Sequence, residues 1–287
     1  APGFAGAYLA SADLHTHVLI DSANGVLDGT ITEDDIIRAP AEQRRLYDLA
    51  LSHAANTNQK LAIDHDRTLV LGQWKGLAAR SASTLAATGC DTALWVQLTA
   101  NPFGRAPGAF EAFQKAAACD PLFSRSWMQM ARTQTWMSDF EGALATVRQA
   151  AEVADADWLF RIHALALAAN GKFDDAWRLI RTSVTSQMNI LIASQQVAAL
   201  QGDDAAAHAF QDRFLTDFGP DDSMSLTMEA ISGNRNEANR LAAIIDARPS
   251  GHLVLLLAVS RCLCGAPFDL EATPAFAERL RDSGLDW

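Results

Sequence analysis

SRSWMQMARTQTWMSDFEGALATVRQAAEVADAD, residues 124–157, contains two apolar-periodic helical segments separated by a short polar turn. The pattern returns further along the chain, where Gly171, Gly202 and Gly233 recur at intervals of 31 residues. A turn that returns at this interval indicates a helix–turn–helix repeat of about 34 residues. Because no single unit can bury its own apolar face, the sequence predicts that neighbouring units stack.

The large and small apolar residues of this unit are Trp127, Met130, Ala131, Phe140, Ala143, Val147 and Ala150. Their spacing resembles that of the packing residues of the tetratricopeptide repeat (TPR) family. The chain resembles that family by pattern over roughly residues 108–245. The resemblance implies an all-α fold, a right-handed α-solenoid of TPR-like repeats. We expect N-terminal insertions at 21–40 and 88–107, and a C-terminal capping helix that begins at Pro274.

The expected organisation is one continuous solenoid in three parts. Irregular TPR-like helical pairs with insertions occupy 1–107, TPR-like repeats occupy 108–250, and a C-terminal helical cap occupies 251–287. Within the first part, AYLASADLHTHVLI (7–20) is interpreted as a helix A and residues 41–57 as the following helix B.

The composition excludes several classes of function. Lys plus Arg number 23 against 34 Asp plus Glu, and the net charge of −11 disfavours nucleic acid and anionic membranes as direct partners. The longest unbroken apolar run, Leu253–Val259, is too short to span a bilayer. Four cysteines are few for this length, and Cys119 is interpreted as a small apolar core residue. These observations favour reduced thiols and a cytoplasmic location.

The segment NGVLDGTITEDD (24–35) resembles a calcium-binding EF-hand loop. However, Val26 offers no oxygen at the third position, and Asp35 is shorter than the usual Glu at the twelfth. The preferred interpretation is an enlarged turn between two helices, in which Thr32 and Asp35 form a capping box. Calcium binding stays open as the alternative.

Two clusters of Asp and His have the composition of metal sites. Asp13, His15 and His17 lie on an expected helix, where residues two apart diverge by about 200°, so both histidines cannot easily bind one ion. Asp64–Asp66 is expected instead to end one helix and cap the next. We therefore predict no metal site.

His163 falls on the expected packing face of a helix A. A satisfied core histidine is one interpretation, and a ligand-contacting or pH-sensing group is the other. The sequence contains no Gly-rich phosphate loop, Ser–His–Asp arrangement or H-E-x-x-H motif. It therefore suggests neither a reaction nor a cofactor.

The TPR resemblance also implies a concave groove lined by helix A side chains. Carried over by position, the candidate partner-binding residues are Arg125, Met128, Arg132, Thr135, Trp136, Trp158, Arg161, Leu165, Asn189, Ile192 and Gln196. Arginine with aromatic and aliphatic groups suits a peptide or a small ligand with an anionic end. Met128 and Leu165 stand where chaperone-tail binders of the family carry Lys or Asn, so chaperone-tail binding is not expected.

The expected function is non-catalytic binding of a protein or peptide on the concave face. PGFAGAYLASADLH, KLAIDHD, AACDP and PFDLEATPAFAERLRDSGL resemble the C-terminal repeat halves of bacterial winged-helix transcriptional regulators and nucleotide-cyclase signalling proteins. That resemblance implies the sensing or partner-binding half of a regulator. A small-molecule sensor and an enzyme on a helical-repeat scaffold remain the alternatives.

Overall fold

The computed structural model describes residues 4–26, 31–80, 109–153, 157–261 and 266–284. Within these ranges the secondary structure is helical and no strand is present. The helices are α1 (Ala5–Ala23), α2 (Glu33–Ser52), α3 (Thr57–Val70), α4 (Ala109–Cys119), α5 (Ser124–Trp136), α6 (Phe140–Val153), α7 (Asp157–Ala169), α8 (Phe173–Thr182), α9 (Gln187–Gln201), α10 (Asp204–Phe218), α11 (Asp222–Ile231), α12 (Arg235–Asp246), α13 (Gly251–Arg261), a 3-10 turn (Leu270–Ala272) and α14 (Pro274–Ser283). The insertion expected at 88–107 lies outside the described residues.

The helices from α5 to α12 pair as predicted into TPR-like units, each with a helix A (α5, α7, α9 and α11) followed by a helix B (α6, α8, α10 and α12). Helix A contacts its own helix B in the units from α5 to α12, and α5 contacts α7, α7 contacts α9 and α11 contacts α13. Stacking of this kind buries the apolar faces of neighbouring helices in a series of core clusters, one of which extends from α4 to α9. The all-α solenoid fold is confirmed.

The turns between helices A and B explain the glycine period. Gly171, Gly202 and Gly233 adopt φ values of 70°, 79° and 76°, which glycine reaches without steric cost. In the unit from Ser124, which has no glycine there, Ser138 takes the same conformation with φ 61°. Small residues then allow close helix packing, and Ala143 in the first helix B is fully buried.

The turn between α1 and α2 contains the predicted capping box. The amide of Asp35 donates to Oγ1 of Thr32 at 3.2 Å, and the amide of Thr32 donates to Oδ2 of Asp35 at 3.0 Å. The paired bonds satisfy two amides at the helix start and fix the beginning of α2 at Glu33. Asp28, a ligand in the calcium interpretation, lies outside the described residues.

The prediction that Asp64–Asp66 ends one helix and caps the next is wrong. Helix α3 runs through all three residues and ends only before Gly72, which has a left-handed φ of 68°. No proline or glycine precedes Gly72 in this segment, so nothing in the sequence stops the helix earlier. The side chains serve other contacts: Asp64 pairs with Arg80, and Tyr47 Oη donates to Asp66 Oδ2 at 2.6 Å.

The C-terminal helix α14 begins at Pro274 as predicted, and Phe276 and Leu280 supply its buried side. That side packs against the N-terminal part of the chain. The Trp74 ring meets the Phe276 ring edge-on at 5.5 Å, and Leu77 belongs to the same core cluster. The first and last segments of the chain thus share one hydrophobic core.

A set of polar contacts joins the same two ends, and we call it the end-to-end junction. Its members are Ala23 and Asn24 at the end of α1, Asp222 and Ser223 at the start of α11, and Arg248 between α12 and α13. The amides of Asp222 and Ser223 donate to the backbone oxygen and Oδ1 of Asn24 at 3.1 and 2.7 Å. Arg248 Nη1 donates to the Ala23 carbonyl at 2.7 Å and pairs with the Asp222 carboxylate.

Cys119, the only cysteine in the described ranges, is disulfide-bonded. The expectation of a reduced, purely apolar core cysteine is therefore wrong at this residue, and the thiol argument for a cytoplasmic location loses its basis here. The described helices include none that is both long and apolar enough to cross a membrane.

Candidate functional site

The candidate binding face lies on three successive A helices, α5, α7 and α9. Because α5 contacts α7 and α7 contacts α9, residues at equivalent positions of these helices form rows across neighbouring units. The side chains of Arg125, Trp136 and Trp158 lie outside the described part of the structure. The predicted positions that remain are two arginines, two amides, one threonine and three aliphatic residues.

The aliphatic positions of the face are buried. Met128, Leu165 and Ile192 are 4%, 8% and 5% exposed, and Thr135 is 3% exposed. Met128 and Leu165 belong to the main core cluster of the repeats. These residues therefore stabilise the packing of the A helices in this conformation and present little surface to a partner.

The accessible part of the face is polar and cationic. Arg132 on α5 and Arg161 on α7 have half-buried side chains, as do Asn189 and Gln196 on α9. Asn189 is partly engaged, since its Nδ2 donates to Thr185 Oγ1 at 3.2 Å. A guanidinium can bind a carboxylate or phosphate with two parallel hydrogen bonds, so this face suits an anionic group.

Two buried polar side chains beside this face were not identified from the sequence. Gln129 and Thr133 on α5 are 4% and 1% exposed, and neither Gln129 Oε1 nor Thr133 Oγ1 has a hydrogen-bond partner. They lie one helical turn apart on the same side of α5. The sequence did contain a signal: two polar residues lie one turn apart in an expected helix A. Polar side chains that become buried in such a helix require hydrogen-bond partners.

His163 on α7 is half-buried. Burial, and secondarily the positive charge of Arg148, lowers its pKa below the ordinary value of 6.5. The neutral imidazole is therefore favoured at neutral pH. This agrees with a packed histidine, while contact with a ligand stays a prediction.

The Asp and His residues considered as metal ligands do not assemble into a metal site. His17 Nε2 lies 3.6 Å from Asp13 Oδ2, and both side chains are largely exposed. In the part of the chain that the structure describes, no three His, Cys, Asp or Glu side chains are grouped as metal ligands. The Asp13–His17 pair is the spacing expected for residues one turn apart on a helix.

Comparison with solved structures identifies the fold. A tetratricopeptide repeat protein from Parabacteroides merdae ATCC 43184 aligns with a TM-score of 0.53 at 10% sequence identity, covering 94% of this chain and 99% of that chain. No family model and no curated protein matches the sequence. At this identity the likeness establishes the fold alone. The chain is a helical-repeat scaffold, and its repeats are TPR-like.

Proposed function

We propose that this chain is a non-catalytic scaffold that binds a protein or peptide through the A-helix face of α5, α7 and α9. The observation that carries the proposal is the placement of Arg132 and Arg161 on neighbouring A helices, where both are partly accessible beside buried aliphatic side chains. In a chain of net charge −11, two arginines on one face select an anionic group against an otherwise acidic background.

The binding experiment uses a peptide array in which each sequence is present with a free C-terminal carboxylate and as its amide. We expect carboxylate peptides to bind, and the double variant Arg132→Gln with Arg161→Gln to weaken that binding at least about 10-fold. The matched control is Arg178→Gln with Arg213→Gln, which removes the same charge from exposed side chains on helices B. Equal affinity in both double variants would exclude this face.

A small polar molecule is the second candidate ligand, and the buried atoms of Gln129 and Thr133 favour it. Both atoms can accept hydrogen bonds, so the molecule would offer donors such as amide, amine or hydroxyl groups. Thermal-shift screening of amino acids and polyols tests this candidate. Stabilisation that disappears in Gln129→Leu with Thr133→Val supports it, whereas a shift that persists in this variant contradicts it.

The regulatory role is also a proposal. We infer that the scaffold is the sensing or partner-binding half of a bacterial signalling protein or transcriptional regulator, on the sequence resemblances at PGFAGAYLASADLH and PFDLEATPAFAERLRDSGL. Mass spectrometry of the native protein from its source would detect a winged-helix or cyclase domain joined to this chain. Recovery of the chain without either domain would contradict the inference.

A further inference from the structure

The start of α11 receives its cap from a distant part of the chain. Asp221 Oδ1 accepts from the amide of Met224 at 2.8 Å, which is the local capping bond. The two preceding amides, of Asp222 and Ser223, are both bound by Asn24. Because the first amides of a helix have no intrahelical acceptor, α11 depends on a residue 199 positions earlier to satisfy them.

The end of α1 is satisfied in return by the C-terminal part of the chain. Arg248 binds the Ala23 carbonyl and also pairs with Asp222. The partial negative charge at the end of α1 thus meets the partial positive charge at the start of α11, and the guanidinium reinforces the contact. Gly25 leaves room for it, since a Cβ there would lie 3.1 Å from Asp222 Oδ2.

The end-to-end junction is polar and partly exposed to solvent, whereas the contact beside it is apolar and buried. The Arg248 and Asp222 side chains are 31% and 25% exposed, so water can compete for this pair. Beside them, Trp74 and Leu77 are almost completely buried against α13 and α14. The core cluster of α4 to α9 contains no residue from 4–80. Separation of the two ends would therefore leave that cluster intact.

We propose that the end-to-end junction is a latch. When it opens, residues 4–80 separate from 222–284 as one unit, while α5 to α8 stay folded. Opening uncovers the apolar surface between Trp74 and Phe276, which the closed chain buries almost completely.

Hydrogen–deuterium exchange with peptide-level mass spectrometry tests the latch on the whole chain. In Arg248→Gln, amides of α1, α3, α13 and α14 are expected to lose protection together by about 10- to 100-fold, the range for a hydrogen bond to a charged group. In Asn24→Ala the same amides are expected to lose about 2- to 10-fold, the range for a hydrogen bond between neutral groups. Amides of α7 are expected to keep theirs. Arg213→Gln, which removes an exposed ion pair with Asp217 on α10, serves as the control and should change none of these helices.

Two results would overturn the proposal. Loss of protection confined to the first amides of α11 would show that the junction is only a helix cap. Equal loss of protection in α7 and α13 would show that the variant lowers the stability of the whole protein. Should Arg248→Gln fail to fold, Arg248→Lys keeps the charge with fewer donors. In this variant the amides of α1, α3, α13 and α14 are expected to lose protection together, by a smaller factor. Either of the two results above would overturn the proposal in this variant as well.

Discussion

Asn24 and Ser223 are separated by 199 positions in sequence and joined by a 2.7 Å hydrogen bond from the Ser223 amide to Asn24 Oδ1. Asn24 is also the first residue of the segment that resembles a calcium loop. Its side-chain oxygen, which a calcium ion would need, is already used to cap α11. The segment after α1 therefore contributes to the contact between the chain ends through its first residue and to the start of α2 through its last.

Replacing both Gln195 and Gln211 by leucine is expected to stabilise the protein. The two residues lie on α9 and α10, which contact each other, and they are 4% and 7% exposed. Gln195 Nε2 lacks an acceptor and Gln211 Oε1 lacks a donor, although both are buried. Removing both amides eliminates a desolvation cost of about 1–3 kcal/mol.

Chemical denaturation of the two single variants and the double variant measures this effect as a double-mutant cycle. Each single variant is expected to gain less stability than the double variant, because it leaves one unsatisfied buried amide in place. A double variant less stable than the wild-type protein would show that ordered water satisfies these amides.

Acidification from pH 6.5 to about 4 is expected to destabilise the contact between the chain ends through His252. Burial, followed by the charge of Arg279, lowers the pKa of His252 to about 4, while the Val70 carbonyl opposes the shift. The unfolded chain therefore binds a proton first as pH falls through 6.5, and up to about 3 kcal/mol of stability is lost by pH 4.

The measurement compares unfolding free energies at pH 7 and pH 4.5 in wild type and His252→Gln. The variant is expected to show a smaller loss, because its side chain does not titrate. His53→Gln, at an exposed position, is the control and should follow wild type. Parallel curves for all three proteins would contradict the assignment.

Asp66→Asn is expected to raise stability above pH 6. Burial raises the pKa of Asp66 to about 6, the negative charge of Asp13 adds to the shift, and the hydrogen bond from Tyr47 opposes it. Because the folded pKa exceeds the unfolded value of 3.8, the ionised carboxylate costs stability above pH 6, and acidification towards 3.8 recovers it.

Thermal unfolding at pH 8 and pH 5 separates this effect from general packing changes. Asp66→Asn should gain up to about 2 kcal/mol over wild type at pH 8 and less at pH 5. A variant equally destabilised at both pH values would show that the Tyr47 contact requires a carboxylate.

Reduction of the protein is expected to lower its melting temperature, because Cys119 is disulfide-bonded. Loss of a native disulfide costs about 2–5 kcal/mol. Alkylation of the denatured, unreduced protein should leave Cys119 unmodified in peptide mass spectrometry, and alkylation after reduction should modify it. Complete modification without reductant would restore the cytoplasmic interpretation, since reduced thiols are typical of that compartment.

The repeat fold could be predicted because its signals are local and periodic. Gly202 marks a turn that requires a left-handed backbone conformation, and Thr32 with Asp35 marks the start of a helix within four residues. The same locality explains the error at Asp64–Asp66, where polar residues suited to capping suggested a helix boundary that no proline or glycine enforces.

The candidate site was less predictable because burial depends on the neighbouring helices. Met128 occupies a groove position by spacing and yet lies in the core, since the solvent exposure of a helix A residue depends on how its neighbours pack. The bond between Asn24 and Ser223 carries no sequence periodicity at all. Contacts between distant segments of this kind follow from the folded arrangement and leave no repeated pattern in one sequence.

The cap that Asn24 gives α11 also sets an order of events during synthesis. A ribosome that adds about 5–20 residues per second needs about 10 to 40 seconds to proceed from Asn24 to Ser223. Part of the apolar core is already outside the ribosome during this interval, namely Leu69, Trp74 and Leu77. The C-terminal helices that bury these residues have not yet been synthesised. The nascent N-terminal helices therefore expose these apolar side chains to solvent during synthesis, where a chaperone can bind them.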